Sequence, residues 1–386
     1  MDINSRLPDV GTTIFTVMSR LASEHNAINL SQGFPDFDID PELISAVEDA
    51  MRRGHNQYAP MAGLPVLRQA IATSLERTYD VHLDPETEIT VTAGATQAIF
   101  SAVAAFVGPG DEVIIFDPSY DSYSPSIRMV GGVPVHINLQ YPHFKPDWDA
   151  VRTHINPSTR MIIVNTPHNP LGTVLEEDDM RELQDLAIRH GLIVLSDEVY
   201  DRLVYDGRKH QSVLKFPGLA SRSLACFSFG KTFHATGWKV GYIAGPSALM
   251  TEVRKTHQFI VFSVNTAVQH GLATYLEDPH HDENIGDFYQ RKRDFFLGQL
   301  AGSPFEPFQT SGSYFQLVSY RKFSSLSDME LARVITVRHK VATIPVSVFY
   351  RDKTDNKLLR LCFAKREETL ARAGEILRAL TPESLQ

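Results

Sequence analysis

The stretch that decides the fold is SFGKTFHATGWKVGY, residues 228–242. It begins at the end of the hydrophobic run 224–229, so Lys231 is expected at a strand end, where it should be partly buried. A buried lysine loses its proton readily and can then bond to an aldehyde. Ser228 and Lys239 flank it in the chain and could hold a nearby phosphate. The alternative is an exposed lysine with no role beyond its charge.

A second apolar run, LIVLSDEVY at residues 192–200, ends in an acid and a phenol. Continuous apolar runs are typical of parallel strands covered on both faces, and ligands bind at the carboxyl ends of such strands. Asp197 could place an anion against a pyridine nitrogen, and Tyr200 could donate a hydrogen bond to a phenolic oxygen beside it. These are two of the groups that a pyridoxal-type cofactor requires.

A third apolar run, RMIIVNTPHNP at residues 160–170, ends in a rigid polar turn. Its Asn169 is a natural second hydrogen-bond partner for the same ring oxygen. Each fragment alone is moderately specific, but their order along the chain is highly specific. That order, Asn169, Asp197, Lys231 and Lys239, indicates a pyridoxal 5'-phosphate (PLP) site.

The phosphate end of such a cofactor has its own signal in EITVTAGATQA, residues 88–98. The pattern predicts a strand, a turn of small residues and then a helix, whose N-terminus favours an anion. The backbone amides of Ala95 and Thr96 are therefore candidate phosphate ligands, although a plain strand-to-helix turn has the same pattern. This stretch contains no nucleotide-binding glycine motif, which argues against a nucleotide here.

An arginine lies within the apolar run LLRLCF, residues 358–363. An unpaired charge is costly in such a strand, so Arg360 either pairs with an acid at a sheet edge or binds a ligand anion. Arginine is the natural bidentate partner of the α-carboxylate that an amino acid and its oxo acid share. No second arginine is obviously placed for a distal carboxylate, which favours substrates with apolar, sulfur-containing or aromatic side chains.

Taken together, these motifs resemble the fold-type I, class I/II aminotransferases, above all the methionine and kynurenine–glutamine branch. The match extends from SQGFPDF (31–37) to RLCF (360–363) and includes NQY (56–58), DPSYDSY (117–123) and NTPHNP (165–170). Many aminotransferases carry arginine where this chain has Lys239, which binds phosphate as a point charge without a bidentate fork. Lysine is common at this position in the kynurenine-type branch.

The resemblance implies PLP as the cofactor, bonded to Lys231, which would also move the substrate proton. Asp197 would hold the pyridine nitrogen, and Tyr200 would bond the ring oxygen; with Lys231 they form the implied catalytic set. The other implied cofactor contacts are Asn169 and Tyr120 at the ring and Ala95, Thr96, Ser228 and Lys239 at the phosphate.

For the substrate, the resemblance implies that Arg360 clamps the α-carboxylate, with Asn169 and the Gly33 backbone beside it. Tyr58 would reach the phosphate of the neighbouring subunit's cofactor, so a homodimer with active sites at its interface is expected. Candidate walls of the side-chain pocket are Ile14, Phe15, Phe34, Tyr120, Phe262 and Phe349.

Strand and helix patterns alternate along the middle of the chain, which is typical of a mainly parallel α/β sheet. Strands are predicted near 89–93, 113–117, 160–165, 192–196, 223–229 and 240–245, and helices at 95–107, 178–190 and 265–277. The tail mixes strands at 313–319 and 358–363 with helices at 327–339 and 366–380. We predict an α/β fold of the fold-type I PLP transferases with a mainly parallel seven-stranded sheet. The large PLP-binding domain would span 46–285, and a smaller α+β domain would combine 1–45 with 286–386.

Composition limits the other classes of protein. With 386 residues, 43% of them hydrophobic, the chain can bury a large core. The net charge of −9 comes without a basic block, so no nucleic-acid partner is expected. No apolar run is long enough to suggest a membrane segment. Two cysteines form neither a disulfide framework nor a metal motif, and a cytoplasmic enzyme without metal is predicted.

The predicted activity is ping-pong transfer of the amino group of a neutral amino acid (methionine, aromatic, kynurenine or glutamine-like) to a 2-oxo acid. A β-lyase acting on cysteine conjugates would use the same residues and stays open as an alternative. A PLP-sensing transcription regulator would need a helix-turn-helix ahead of the enzyme-like body. About 30 residues precede Ser31 and they are not basic, which disfavours that reading.

Overall fold

The structure is a computed structural model, and it describes residues 4–385. Within this range the strands are, in chain order, β1 (Ile28–Asn29), β2 (Ile89–Thr92), β3 (Glu112–Asp117), β4 (Val133–Asn138), β5 (Thr159–Asn165), β6 (Ile193–Asp197), β7 (Ser223–Ser228), β8 (Gly241–Ala244), β9 (Glu306–Pro307), β10 (Phe315–Ser319), β11 (Val341–Ala342), β12 (Ile344–Pro345) and β13 (Leu358–Cys362). They form a large central sheet and two small sheets.

Helices cover these sheets and connect the strands. They are α1 (Ile14–Glu24), α2 (Pro41–Arg52), α3 (Pro65–Tyr79), α4 (Ala95–Phe106), α5 (Tyr123–Met129), α6 (Trp148–His154), α7 (Glu177–His190), α8 (Pro217–Ala220), α9 (Phe229–Thr232), α10 (Ser247–Ile260), α11 (Thr266–Tyr275), α12 (His280–Glu283), α13 (Ile285–Leu300), α14 (Asp328–His339) and α15 (Glu367–Arg378). Local chemistry sets their ends. A capping box between Glu176 and Asp179 begins α7, and Gly191 ends it in the left-handed region at φ 68°.

The central sheet has seven strands in the order β2-β8-β7-β6-β5-β3-β4. All neighbours are parallel except β8, which runs antiparallel to both β2 and β7. The predicted mainly parallel seven-stranded sheet is therefore confirmed. The register aligns Asn165 with Asp197 and Asp197 with Cys226, so the carboxyl ends of β5, β6 and β7 meet at one edge.

The predicted strands of this sheet agree with the observed ones to within a residue or two, but β4 was missed. It lies at the edge of the sheet, and only Ile137 within it is buried. Pro134 also lies inside it, and proline in a strand is characteristic of sheet edges. A half-exposed strand of this kind lacks the continuous apolar run by which its neighbours were found.

The smaller sheets are built mainly from the last third of the chain. One has four antiparallel strands in the order β12-β13-β10-β9, and it carries Arg360 in β13. The other pairs β1 with β11 in parallel, which ties the N-terminal segment to this part of the fold. The predicted α+β character is confirmed. The boundaries at 46 and 285 remain a proposal, since the first falls inside α2 and the second at the start of α13.

Two further features bear on the class of protein. None of the helices in residues 4–385 is long and apolar enough to cross a bilayer. The same residues contain no group of three or more His, Cys, Asp or Glu side chains arranged to hold a metal ion. Cys226 and Cys362 are both buried and free.

Candidate active site

A cavity of about 190 Å³ opens where the carboxyl ends of β5, β6 and β7 face α4 and β13. It brings together all but one of the predicted site residues, namely Gly33, Ala95, Thr96, Tyr120, Asn169, Asp197, Tyr200, Ser228, Lys231, Lys239 and Arg360. Tyr58 is the exception. A larger cavity of about 410 Å³ lies on the other side of Asn165 and contains none of these residues.

Lys231 lies in α9, directly after β7, and two hydrogen bonds hold its amine. Nζ donates to the Gly33 carbonyl at 3.1 Å and to the Tyr314 hydroxyl oxygen at 2.8 Å. Burial lowers the pKa of Lys231 to about 8, and the charges of Lys239 and Arg360 act in the same direction. A substantial fraction of the amine is therefore neutral near physiological pH, as a nucleophile requires.

Asp197 ends β6 as a buried anion. Its Oδ2 accepts a hydrogen bond from the Tyr123 hydroxyl at 2.5 Å, and Oδ1 lies 3.4 Å from the Val199 amide. Burial nevertheless raises the pKa of Asp197 to about 6. A buried carboxylate of this kind gains from a cationic partner. A protonated pyridine nitrogen is such a partner.

Tyr200 and Asn169 supply neutral donors on the cavity wall. Burial raises the pKa of the Tyr200 phenol, so it keeps its proton at neutral pH. Asn165 Oδ1 accepts from the Asn169 backbone amide at 2.8 Å, which fixes the loop after β5. The Asn169 side-chain oxygen accepts from Arg360 Nη1 at 2.7 Å, which leaves its amide N–H group as the donor toward the cavity.

The N-terminus of α4 forms the far end of the cavity. Gly94 precedes the helix with φ 79°, and no side chain caps the free amides of the first turn. A Cβ atom at Gly94 would lie 3.3 Å from Lys239 Nζ, so glycine is what lets this cation approach the helix end. Free amides, a helix dipole and a lysine together suit a phosphate. Ser228 lines the same cavity.

Arg360 is fully buried in β13; the charge of Asp121 acts on it, but among residues 4–385 no carboxylate pairs with it directly. Nη1 donates to Asn169 Oδ1 and Nη2 to the Ser31 carbonyl, both at 2.7 Å, and both acceptors are neutral. Nε has no partner among residues 4–385. The guanidinium carbon lies 3.9 Å from the centre of the Phe315 ring, which supports it from one side. Burial lowers the pKa of Arg360 to about 10, so it still carries its charge at neutral pH.

Tyr58 lies away from the cavity on the molecular surface, with 82% of its side chain exposed. Its ring meets that of Phe262 edge-on at 5.1 Å, and Phe262 is also largely exposed. Of the predicted pocket walls, Phe15 and Tyr120 line the cavity, whereas Ile14, Phe34, Phe262 and Phe349 are not part of its lining. Phe349 packs instead against Phe15 from outside, with ring centres 5.8 Å apart.

Three residues that position this site were missed by the sequence reasoning. Tyr123 holds Asp197, Tyr314 holds Lys231, and Asn165 donates through Nδ2 to the Asp197 carbonyl at 2.9 Å. Tyr123 and Asn165 stand inside motifs that the sequence analysis quoted, so their place near the site was visible. Tyr314 stands in the distant tail, and no local pattern ties it to Lys231.

The residues present fit PLP, since each of its functional groups would find a complementary one. The aldehyde would find an amine of lowered pKa, and the pyridine nitrogen a buried anion of raised pKa. The phosphate would find an uncapped helix N-terminus with a lysine beside it. Arg360 Nε, buried and without a partner among residues 4–385, could bond a further anion.

Comparison with known proteins identifies the family of this chain. The model of the family described as aminotransferase class I and II matches residues 25–377. The chain belongs to the class I and II aminotransferases, a family of PLP-dependent enzymes.

Among its curated relatives is the methionine aminotransferase of Escherichia coli, 48% identical over 377 residues, which are 97% of this chain and 98% of the relative. A probable N-succinyldiaminopimelate aminotransferase of Mycobacterium tuberculosis is 37% identical over 381 residues, 96% of each chain. Human kynurenine–oxoglutarate transaminase 3 is 32% identical over 410 aligned residues, 97% of this chain and 89% of the relative.

The fold agrees as closely as the sequence does. A solved Escherichia coli structure with a reported methionine aminotransferase function superimposes with a TM-score of 0.96 at 48% identity. The match covers 98% of this chain and 100% of the other. The resemblance to the methionine and kynurenine branch is confirmed.

Proposed function

We propose that this aminotransferase takes the amino group of a neutral amino acid, such as methionine, an aromatic residue, kynurenine or glutamine, and passes it to a 2-oxo acid. One observation carries the proposal: Arg360 is buried, charged and bonded only to neutral oxygens of the protein. It therefore lacks an anion that a substrate α-carboxylate would supply through two parallel hydrogen bonds.

The proposed cofactor is PLP, which supplies an electrophilic aldehyde and an electron-accepting ring when it is bound. Lys231 would bond to the aldehyde, and Asp197 would keep the ring nitrogen protonated. Tyr200 and Asn169 would donate to the ring oxygen, and Tyr120 would lie against the ring. The phosphate ligands proposed are the Ala95 and Thr96 amides, Ser228 and Lys239.

In the proposed reaction, the protein positions one C–H bond and moves one proton. Arg360 holds the carboxylate, which fixes the substrate Cα relative to Lys231. The freed Lys231 amine takes the proton from Cα at Nζ and returns it to a neighbouring carbon. With a pKa of about 8, Nζ can both accept and release a proton near neutral pH. The second half-reaction reverses these steps with an oxo acid.

The preference for a neutral side chain rests on how the cations of the cavity are distributed. Among the described residues, its lining has three: Lys231 for the aldehyde, Lys239 beside the phosphate end and Arg360 for the α-carboxylate. The remaining walls include the apolar side chains of Phe15, Ile99 and Phe315. A distal carboxylate buried there without a cation would cost more than an unpaired neutral polar group, for which the cost is about 2–7 kcal/mol.

We further propose a homodimer in which Tyr58 completes the partner's phosphate site. Tyr58, Phe259 and Phe262 are exposed by 82%, 86% and 57%, which is unusual for three neighbouring aromatic residues. Burial against a second copy would account for that exposure. Tyr58 and Phe262 are in contact, so both would extend across the dimer interface together. Phe262 would then be a wall of the side-chain pocket in the partner's site.

The cytoplasm is the proposed location. Cys226 and Cys362 are both free thiols in the structure. Thiols remain reduced in a reducing compartment, whereas stable disulfides are typical of oxidising compartments. Cell fractionation with antibody detection would test this, and recovery outside the cytoplasmic fraction would contradict it.

The experiment that tests the function is a panel of amino donors against several 2-oxo acids, with product oxo acids measured directly. We expect kcat/KM for methionine or an aromatic donor to exceed that for aspartate. Discrimination among the neutral donors should be modest, because one methylene is worth only about 1–3 kcal/mol. A higher kcat/KM for aspartate would overturn the proposed substrate class while leaving the family unaffected.

Two additions sharpen the panel. N-succinyl-diaminopimelate belongs in it, because a Mycobacterium tuberculosis relative is named for that substrate. A cysteine conjugate without any oxo-acid acceptor tests for β-lyase chemistry, since elimination releases ammonia and needs no acceptor. Arg360→Lys should lower kcat/KM for every donor in the panel, because lysine keeps the charge but loses the planar fork.

A further inference from the structure

Tyr314 contacts the amine of Lys231 and is not part of the cavity lining. It directly precedes β10 and is fully buried. Its ring packs edge-on against Tyr200 and Phe315, with centres 5.0 and 4.9 Å apart. Its hydroxyl reaches Lys231 Nζ at 2.8 Å. Tyr314 therefore contacts the lysine amine without itself lining the ligand cavity.

The direction of each hydrogen bond in this group can be assigned by counting donors. The Tyr314 hydroxyl donates its single proton to the Gly33 carbonyl at 2.5 Å. Its oxygen can then act toward Lys231 only as an acceptor. Nζ also donates to the same Gly33 carbonyl at 3.1 Å. A neutral amine has two N–H bonds and one lone pair, so these two acceptors use both of its protons.

We propose that Tyr314 is a positioning residue, which together with the Gly33 carbonyl holds both N–H bonds of the neutral Lys231 amine and so turns its lone pair toward the substrate Cα. The inference rests on the proposed function, in which that lone pair takes the Cα proton. Without the hydroxyl, the amine could rotate about its last side-chain bond, and the lone pair would lose its fixed direction.

Several other groups face the Lys231 amine and must be kept unchanged in a test. The rings of Tyr200 and Tyr314 lie 5.6 and 5.5 Å from Nζ, measured to their centres. Further titratable or charged groups that act on its pKa are Cys362, Lys239, Arg360 and Asp197. Tyr314→Phe removes one oxygen atom and leaves the ring packing. The same hydroxyl also acts on the Tyr200 phenol, so the spectrum of the bound cofactor is compared in parallel to detect a change at Tyr200.

Tyr289→Phe is a matched control. Tyr289 is also fully buried, and its ring lies 5.7 Å from that of Tyr314. Its hydroxyl bonds to His234 Nδ1 at 3.0 Å and does not reach Lys231. The two variants therefore lose the same atom from neighbouring buried tyrosines, and only one of them loses a contact with the lysine.

The first measurement needs no turnover. Each protein is loaded with pyridoxamine phosphate, which leaves the Lys231 amine unbonded, and its acetylation by acetic anhydride is followed by mass spectrometry across a pH series. An acceptor stabilises the ammonium form more than the amine, so its loss should lower the pKa of Lys231 by about one unit. Tyr289→Phe should titrate like the wild type.

The second measurement is a single half-reaction with methionine and with its α-deuterated form. In Tyr314→Phe the rate should fall about 10- to 100-fold, as expected for a misdirected proton acceptor, and the isotope effect should rise. The methionine concentration at half-saturation should stay close to that of the wild type, because Arg360 is unchanged.

Two results would overturn the proposal. One is a Tyr314→Phe protein that matches Tyr289→Phe in titration and isotope effect. The other is a slower protein in which neither quantity has moved, since that would show a merely structural role. If the wild type failed to transaminate any donor, the proposed function would fall, whereas the acetylation comparison would still report whether Tyr314 holds the amine.

Discussion

At the scale of single residues, the site contains buried charged groups whose hydrogen-bond partners are neutral. Asp197 is an anion whose burial raises its pKa to about 6, and Arg360 is a buried cation with neutral partners. Lys231 has lost part of its basicity. The pKa of each of these residues is shifted by burial, and a bound cofactor and substrate would supply the groups of opposite charge or the aldehyde that each one lacks. Perturbed groups of this kind cluster at functional sites.

Asp197→Asn should make the cofactor-free protein more stable at pH 8 while removing most of its activity. The pKa of Asp197 is about 6 in the folded protein, above its ordinary 3.8. Folding is therefore penalised once the pH exceeds both values, and the penalty fades as the pH falls toward 4. A shift of about two units corresponds to about 3 kcal/mol. Urea unfolding at pH 8 and pH 4.5 measures this difference.

Asp206→Asn is the control with the opposite sign. Asp206 accepts hydrogen bonds from Arg293, and these lower its pKa below the ordinary value. Its removal should therefore destabilise the protein by a similar amount at both pH values, because both lie above the pKa of the folded and unfolded states. A gain for Asp197→Asn that did not depend on pH would contradict the burial of an ionised carboxylate.

The same scale shows what sequence reasoning can find. Residues that bear distinctive chemistry at strand ends, such as Lys231, Asp197 and Arg360, were located because their type is unusual in an apolar setting. Tyr314 and Tyr123 act through a hydroxyl on a neighbouring side chain, and tyrosine is common in cores. Their partners become visible only when the distances are known. The roles of all these residues remain predictions.

At the scale of elements, continuous apolar runs identified the buried strands, and the half-exposed edge strand β4 escaped. The antiparallel direction of β8 was also out of reach, because strand direction depends on pairing rather than on local pattern. That direction matters for the site. Since β8 starts at Gly241, beside the end of β7, the chain passes Lys239 next to the start of α4.

Gly94→Ala tests the junction of β2 and α4. The backbone there has φ 79°, which is strained for alanine, and the new Cβ would crowd Lys239 Nζ at 3.3 Å. With ψ at 167° this backbone is essentially restricted to glycine, so we expect a loss of about 1–3 kcal/mol in stability. The Kd for PLP should rise about tenfold or more, because the loss of one charge-assisted hydrogen bond weakens binding by about that factor. Fluorescence titration with PLP and urea unfolding separate the two effects.

Gly110→Ala serves as its matched control. Gly110 also has a positive φ, 87°, but a Cβ there would meet nothing within 4 Å. Both variants should lose stability, and only Gly94→Ala should lose cofactor affinity. Equal PLP affinities in both variants would place the phosphate elsewhere.

At the scale of the whole molecule, the most telling feature is the exposed aromatic surface around Tyr58. A cavity that contains almost every predicted site residue lacks this one, and its ring lies exposed against that of Phe262. The proposed homodimer explains both facts by a single contact. The division into domains at 46 and 285 is a separate proposal and does not depend on it.

Mixing two defective variants tests whether Tyr58 crosses between subunits. Lys231→Ala should bind PLP but not turn over, and Tyr58→Ala should bind PLP weakly. If both are unfolded and refolded together, random pairing restores about a quarter of the sites, because each mixed dimer contains one intact site. Transamination by the mixture is compared with that of each variant refolded alone. No recovery would mean that Tyr58 acts within its own subunit.

The guanidinium of Arg360 joins parts of the chain that are translated at very different times. It bonds to the Ser31 carbonyl and to Asn169, and it lies over the Phe315 ring. On the ribosome, Ser31 is synthesised early, and its carbonyl can bond to Arg360 only after nearly the whole chain has been translated. The phosphate ligands proposed within one subunit have all been made once Lys239 has emerged. If the proposed roles hold, a nascent chain acquires its phosphate ligands well before the arginine that would bind the substrate carboxylate, so a partly made chain could not yet bind an amino acid productively.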